Sequence, residues 1–141
     1  MNGCNTFIFD SLPEKELIPR FEISSFHWEK DGYSRPESSV RFCAVKNEGY
    51  YAFLESSESP VLARYTRRDD PVYTDSCLEV FIAPVSGRSE FSVGEGEIRG
   101  NFYKCADDSP TPHYGALFPV DSASLGFHNP ERFGTIKIIK R

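Results

Sequence analysis

The sequence predicts an all-β domain, a β-sandwich or barrel of short strands, and three observations carry that reading. Aromatic residues make up 14% of the chain, with 12 Phe and 7 Tyr against one Met and one Trp, and aromatic side chains suit a pleated, half-buried surface. Ten Pro and ten Gly interrupt the chain at close intervals, as frequent turns require. Apolar residues recur in short runs, and no long segment carries the apolar period of a helix.

The elements follow in order. TFIFD (6–10) reads as a short edge strand. RFEISSFHW (20–28) alternates at Phe21 and Ile23, then shifts phase to Phe26 and Trp28. EKDGYSRPESS (29–39) is rich in turn formers and reads as a loop. VRFCAVK (40–46) and YYAFLES (50–56) are strands joined by NEG, a short connection ending in Gly and so a hairpin signal. PVLARYT (60–66) opens on Pro60, which suits an edge strand or a strand entry. RRDDP (67–71) is a loop, and SCLEVFIAP (76–84) is the strongest strand. EFSVG (90–94) and IRGNFYKC (98–105) follow as strands, and ADDSPTPHYG (106–115) is a polar, Pro-rich loop. SLGFHNPERFG (124–134) is irregular, and TIKIIK (135–140) closes the chain as a strand. Some eight strands with turns every eight to twelve residues or so fit a sandwich or barrel. There is no repeat, linker or low-complexity tract, so residues 1–141 read as one domain.

Charge and motif content narrow the function. A net charge of -5 and a pI near 5.2 speak against a nucleic-acid partner, which calls for a basic face. No apolar run approaches the roughly 18 residues of a membrane span, so no membrane partner is expected. The N-terminal MNGCNTFIFDSLPEKE has no basic n-region and no long apolar core. No signal peptide is therefore expected, and taken literally the chain reads as cytoplasmic. Cys4, Cys43, Cys77 and Cys105 form no CxxC pair, which argues against a zinc knuckle and for buried free thiols. His27, His113 and His128 make neither HxH nor HExxH, so no catalytic metal is expected. His113 reads as a hydrogen-bonding loop residue.

Glu79 is the unusual position. Along an extended strand Leu78, Val80 and Ile82 share one face, the expected core, and Cys77, Glu79 and Phe81 share the other. An outer face carrying one carboxylate among aromatics can hold a sugar. Rings stack on the apolar faces of a pyranose and the carboxylate accepts hydrogen bonds from its hydroxyls. The plainer reading is outward alternation on a half-exposed strand.

PVYTDSCLEVFIAP (71–84) resembles the signature strand of carbohydrate-binding module family 9. IRGNFYKCADDSPTPHY (98–114) and GFHNPERFGTIKIIK (126–140) are similar to its second and closing segments. The resemblance implies a β-sandwich of jelly-roll-like, immunoglobulin-like layers, with ligand held between two rings. One ring lies just before the Asp-Ser motif, here Tyr73, and the other just before the final P-x-x-F-G, here Phe127. The motif glutamate is Glu79, and a polar position near Tyr103 or Lys104 completes the set. His128, beside Phe127, and Arg64, beside the signature loop, are further candidates. Arg67 and Arg68 are expected to be solvated and to pair with Asp69 and Asp70. The implied ligand is a mono- or oligosaccharide, bound without catalysis. No cofactor is implied beyond a structural calcium, for which the loops RRDDPVYTD and DDSPTPHYG offer carboxylates.

The chain departs from the family pattern in two ways. The clamp positions carry Tyr and Phe where Trp is common, and the middle of the chain is short. The fold is therefore expected to lack some strands of the full family fold, leaving open sheet edges through which copies could self-associate. The competing reading is a structural or protein-interaction sandwich that has lost ligand binding.

Overall fold

The computed structural model describes residues 3–83, 94–120 and 133–141. Nine strands occur among them: β1 (Gly3–Phe9), β2 (Arg20–Glu22), β3 (Ser25–Phe26), β4 (Ser38–Val45), β5 (Gly49–Ser56), β6 (Cys77–Ala83), β7 (Gly96–Ala106), β8 (His113–Ala116) and β9 (Gly134–Lys140). Single 3-10 turns cover Lys15–Leu17 and Val72–Thr74. The segment EFSVG and the residues Phe127 and His128 fall outside or largely outside the described residues.

Two layers form a β-sandwich. In one, β4 pairs antiparallel with β5 and with β2. In the other, β7 pairs antiparallel with β6, β9 and β8, and β8 with β3. β7 is long enough to serve two partners on one edge, with 96–100 against β9 and 103–106 against β8. β1 joins the layers, running parallel to β9 over most of its length and to β4 at its end. The Thr6 hydroxyl, fully buried, donates to the Phe42 carbonyl and extends that junction.

Alternation builds the core. Val40, Phe42 and Ala44 of β4 face Ile98 and Phe102 of β7 and Ile136 and Ile138 of β9, with Ile23 and Phe118 closing the ends. Phe42 and Phe102 meet edge to face with centroids 5.3 Å apart, a favoured aromatic geometry. The alternate residues of β4, Cys43 and Val45, join Phe9 and Ile18 in a second cluster on the other side of that layer.

Several expectations change. TFIFD is interior rather than an edge, because β1 is hydrogen-bonded on both sides. RFEISSFHW divides into β2 and β3, which pair in opposite layers; the phase shift after Ile23 is where the chain crosses over. PVLARYT is not a strand: one backbone bond, from the Ser76 N–H to the Leu62 carbonyl, and the side chains of Ser76 and Asp75 hold it in place of a ladder. Val80 is 40% exposed although Leu78 and Ile82 pack on the core. β6 pairs with β7 alone among the described residues, which leaves its other edge open there. The NEG hairpin stands, with Asn47 and Gly49 at positive φ. The short middle costs no pairing between its flanking strands, since β6 and β7 are matched from Cys77↔Cys105 to Ala83↔Arg99.

One buried ionic group fixes the irregular segment between β5 and β6. The Lys104 ammonium, on the core side of β7, donates to Glu58 Oε1 at 2.6 Å, to the Cys105 carbonyl at 3.3 Å, and is 2.8 Å from His113 Nε2. An ammonium has three protons and no lone pair, so His113 Nε2 accepts. Its Nδ1–H donates to the Thr111 carbonyl at 2.9 Å. Glu58 Oε2 accepts from Ser76 Oγ at 2.7 Å, and that hydroxyl accepts from the Leu62 N–H at 2.8 Å. Burial first, and the adjacent Lys104 cation second, hold His113 below the ordinary imidazole value of 6.5.

Three outcomes follow. Gly134 of β9 lies against the Phe118 ring, where an added Cβ would sit 2.4 Å from ring carbons. Gly134→Ala should lose about 1–3 kcal/mol in urea unfolding, the usual overpacking cost. Lys104→Met strands the Glu58 carboxylate and should cost about 3–5 kcal/mol, with partial recovery when Glu58→Gln is added; a single-variant loss within the roughly 1 kcal/mol of a surface pair would refute the burial argument. For His113 the unfolded imidazole protonates near 6.5 and the folded one only at lower pH. Its stabilising contribution is present above that value and lost as pH falls through the folded one. Unfolding of His113→Asn at a series of pH values should show a shallower decline with acid than the native chain; the same slope would remove His113 from the account.

Candidate functional site

The signature strand β6 sets the geometry. Its outer face presents Cys77, Glu79 and Phe81, opposite Cys105, Tyr103 and Asn101 of β7. Continuing across the layer, Tyr103 faces Ala116 of β8 and Cys105 faces Tyr114. Tyr103, Cys105, Ala116 and Val120 form a buried cluster on this face, with Trp28, Cys77, Phe81 and Tyr114 partly buried against it. Phe81 meets Tyr103 edge to face at 5.4 Å, and Phe133 of the closing segment lies 6.2 Å from Phe81.

Tyr73 lies in the turn that leads into β6. It sits in the Val72–Thr74 turn with 63% of its surface exposed, and its carbonyl is 3.8 Å from Cys77 Sγ. The same thiol lies 3.3 Å from Glu79 Oε1. The Tyr73 backbone and the Cys77 and Glu79 side chains thus meet at one end of β6.

The loop carrying Tyr73 is held by Asp75. Its carboxylate accepts from the Arg64 N–H at 2.5 Å, the Arg64 Nε–H at 2.6 Å and the Tyr65 N–H at 3.3 Å. Burial presses the Asp75 carboxyl upward as the largest single influence, but these donors together hold it below the ordinary carboxylate value. The Arg64 guanidinium also reaches Asp108 at 3.0 Å and Thr74 Oγ1 at 3.2 Å and lies over the Tyr65 ring. Arg64 therefore fastens three segments in the structure: 64–65, 74–75 and 108.

Tyr103 and Lys104 point to opposite faces of β7. Tyr103 shares the Glu79 face but is fully buried, and burial pushes its phenol up. It supports the face from beneath. Lys104 lies on the other side in its ion pair and lines, with Ser56, Glu58, Val61, Ser76, Cys77 and Leu78, a cleft of about 190 Å³. Asn101, also on the Glu79 side, is buried and bridges to the backbone N–H and carbonyl of Phe118. Cys77 is half-buried rather than buried.

The acidic loops are engaged by protein donors. Asp70 accepts from the Arg67 N–H at 2.9 Å, and Asp107 takes Lys30 and the Tyr114 hydroxyl. Among the described residues no group of three or more His, Cys, Asp or Glu is placed to hold a metal, whereas calcium takes six to eight oxygens. Sequence reasoning missed Glu58 and the pairing of Asp75 with Arg64. The one available signal was that Asp and Ser directly before a strand commonly bond to backbone.

Comparison with known proteins agrees with this architecture. A crystal structure of a protein from Bacteroides uniformis ATCC 8492, proposed to bind carbohydrate, superposes with a TM-score of 0.78 at 20% identity, covering 98% of this chain and 99% of that one. The two chains have nearly the same extent, so the short middle is compatible with that fold. A search of the curated proteins found no match. The family profile described as carbohydrate-binding family 9 matches residues 8–95 and 89–138. Its two segments meet between β6 and β7, where the sequence is short. This chain belongs to carbohydrate-binding family 9.

Proposed function

We propose that this domain binds a mono- or oligosaccharide, without chemical turnover, at the Tyr73–Glu79 end of β6. The observation that carries the reading is that the backbone of the turn bearing the exposed Tyr73 and the Glu79 carboxylate both lie against the Cys77 thiol. Tyr73 offers a flat apolar surface for a pyranose ring, and Glu79 accepts its hydroxyls. Phe127 and His128, which precede Phe133 in the closing segment, are proposed as the opposing wall. Binding rather than hydrolysis is favoured by Asp75, whose carboxylate is occupied by Arg64 and Tyr65. Glycoside hydrolysis needs a pair of carboxyl groups free to act across the bond.

A second reading draws on the edge of β6, where Val80 is exposed. A strand edge with an apolar side chain can take a protein partner, and the domain would then be an interaction sandwich.

Calorimetric titration with a panel of mono- and oligosaccharides, with and without calcium, tests the first against the second. Saturable binding is expected for at least one sugar. Glu79→Ala should weaken it about tenfold to a hundredfold, the worth of a hydrogen bond to a charged group, with Tyr73→Ala and Phe127→Ala also weaker. A folded chain that binds no sugar would leave the interaction reading.

A further inference from the structure

Cys77 and Cys105 stand directly opposite one another in the β6–β7 ladder and face the same side of the layer. Both are free thiols. Residues directly opposed on antiparallel strands have Cβ atoms about 4.5–5.5 Å apart, and a disulfide needs about 3.5–4.5 Å. A small approach of two adjacent strands is enough to close the bond. Cys77 is among the groups that act on the Cys105 thiol, raising it.

Their surroundings differ in a useful way. Cys105 is 5% exposed within the outer-face cluster. Cys77 is half-buried, at the start of the edge strand β6. The other two thiols have no such partner: Cys4 faces Ile136, and Cys43 faces Tyr51.

We propose that Cys77 and Cys105 form a redox-active dithiol, a modification site that a small-molecule disulfide converts to a cross-strand disulfide. Cys77, as its thiolate, attacks one sulfur of the small disulfide. That S–S bond breaks, one small thiol leaves, and Cys77 carries the other half as a mixed disulfide. Cys105 then releases its proton to solvent and attacks the Cys77 sulfur, expelling the second small thiol. The protein pair gives up two hydrogens and two electrons, and the small disulfide takes them. The order of roles follows first from access. Cys77 is half-buried and Cys105 buried, so the reagent meets Cys77 first, and the neighbouring Cys77 together with burial pushes the Cys105 thiol well up, so it resolves rather than attacks.

Closure has two local effects. It fastens the edge strand β6 covalently to β7. It also removes the S–H of Cys77 that lies 3.3 Å from Glu79 Oε1, freeing that carboxylate oxygen.

The test needs no sugar, so it stands apart from the proposed binding function. The reduced chain is incubated with glutathione disulfide, and its intact mass and peptide map are measured. The expected product has lost two hydrogens, contains one linked Cys77–Cys105 peptide pair, returns to starting mass with dithiothreitol, and leaves Cys4 and Cys43 open to alkylation after unfolding. Cys105→Ser should stop at a glutathione adduct on Cys77. A native chain that stays fully reduced, stops at the adduct, or links any other pair overturns the proposal.

Discussion

The buried Lys104 ammonium is the constraint on which the arrangement of the signature strand depends. Its three protons meet the Glu58 carboxylate, the Cys105 carbonyl and His113. A cation taken out of water is tolerated only when it is paired and fully hydrogen-bonded. The requirement is met by residues from the segment after β5, from β7 itself and from β8. Glu58 then passes the constraint to Ser76 and, through it, to Leu62. A stretch with no ladder of its own is thereby held against the beginning of β6. The Arg64–Asp75 pair does the same for the next few residues, and Tyr73 inherits its position from both.

Strand alternation divides this machinery from the proposed binding face. Lys104 and Tyr103 are neighbours in sequence and lie on opposite sides of β7. The core side carries the ion pair, and the outer side carries Tyr103, Cys105 and, across the ladder, Glu79 and Cys77. The two sides serve different ends. One secures an irregular segment by electrostatics in a dry setting. The other presents a carboxylate and thiols on a rigid floor of aromatic rings. A site built on strands with a locked support beneath it holds its geometry better than one built on loops alone.

The sequence by itself determined the all-β class, the β4–β5 hairpin, the strong β6 strand and the assignment of Glu79 to its outer face. Each of these depends on local signals: a period of two, a Gly-ended turn, the composition of a short run. The family was legible as well, because its motifs are ordered along the chain. Tertiary structure alone decided that TFIFD is interior, that PVLARYT is no strand, that Val80 is exposed, and that Cys77 and Cys105 are opposed. It also decided that Lys104 pairs with Glu58 across 46 positions. The physical reason is the same in each case. Alternation tells which side of a strand a residue takes, but which strand lies alongside, and which distant side chain meets a buried charge, is settled only when the layers come together.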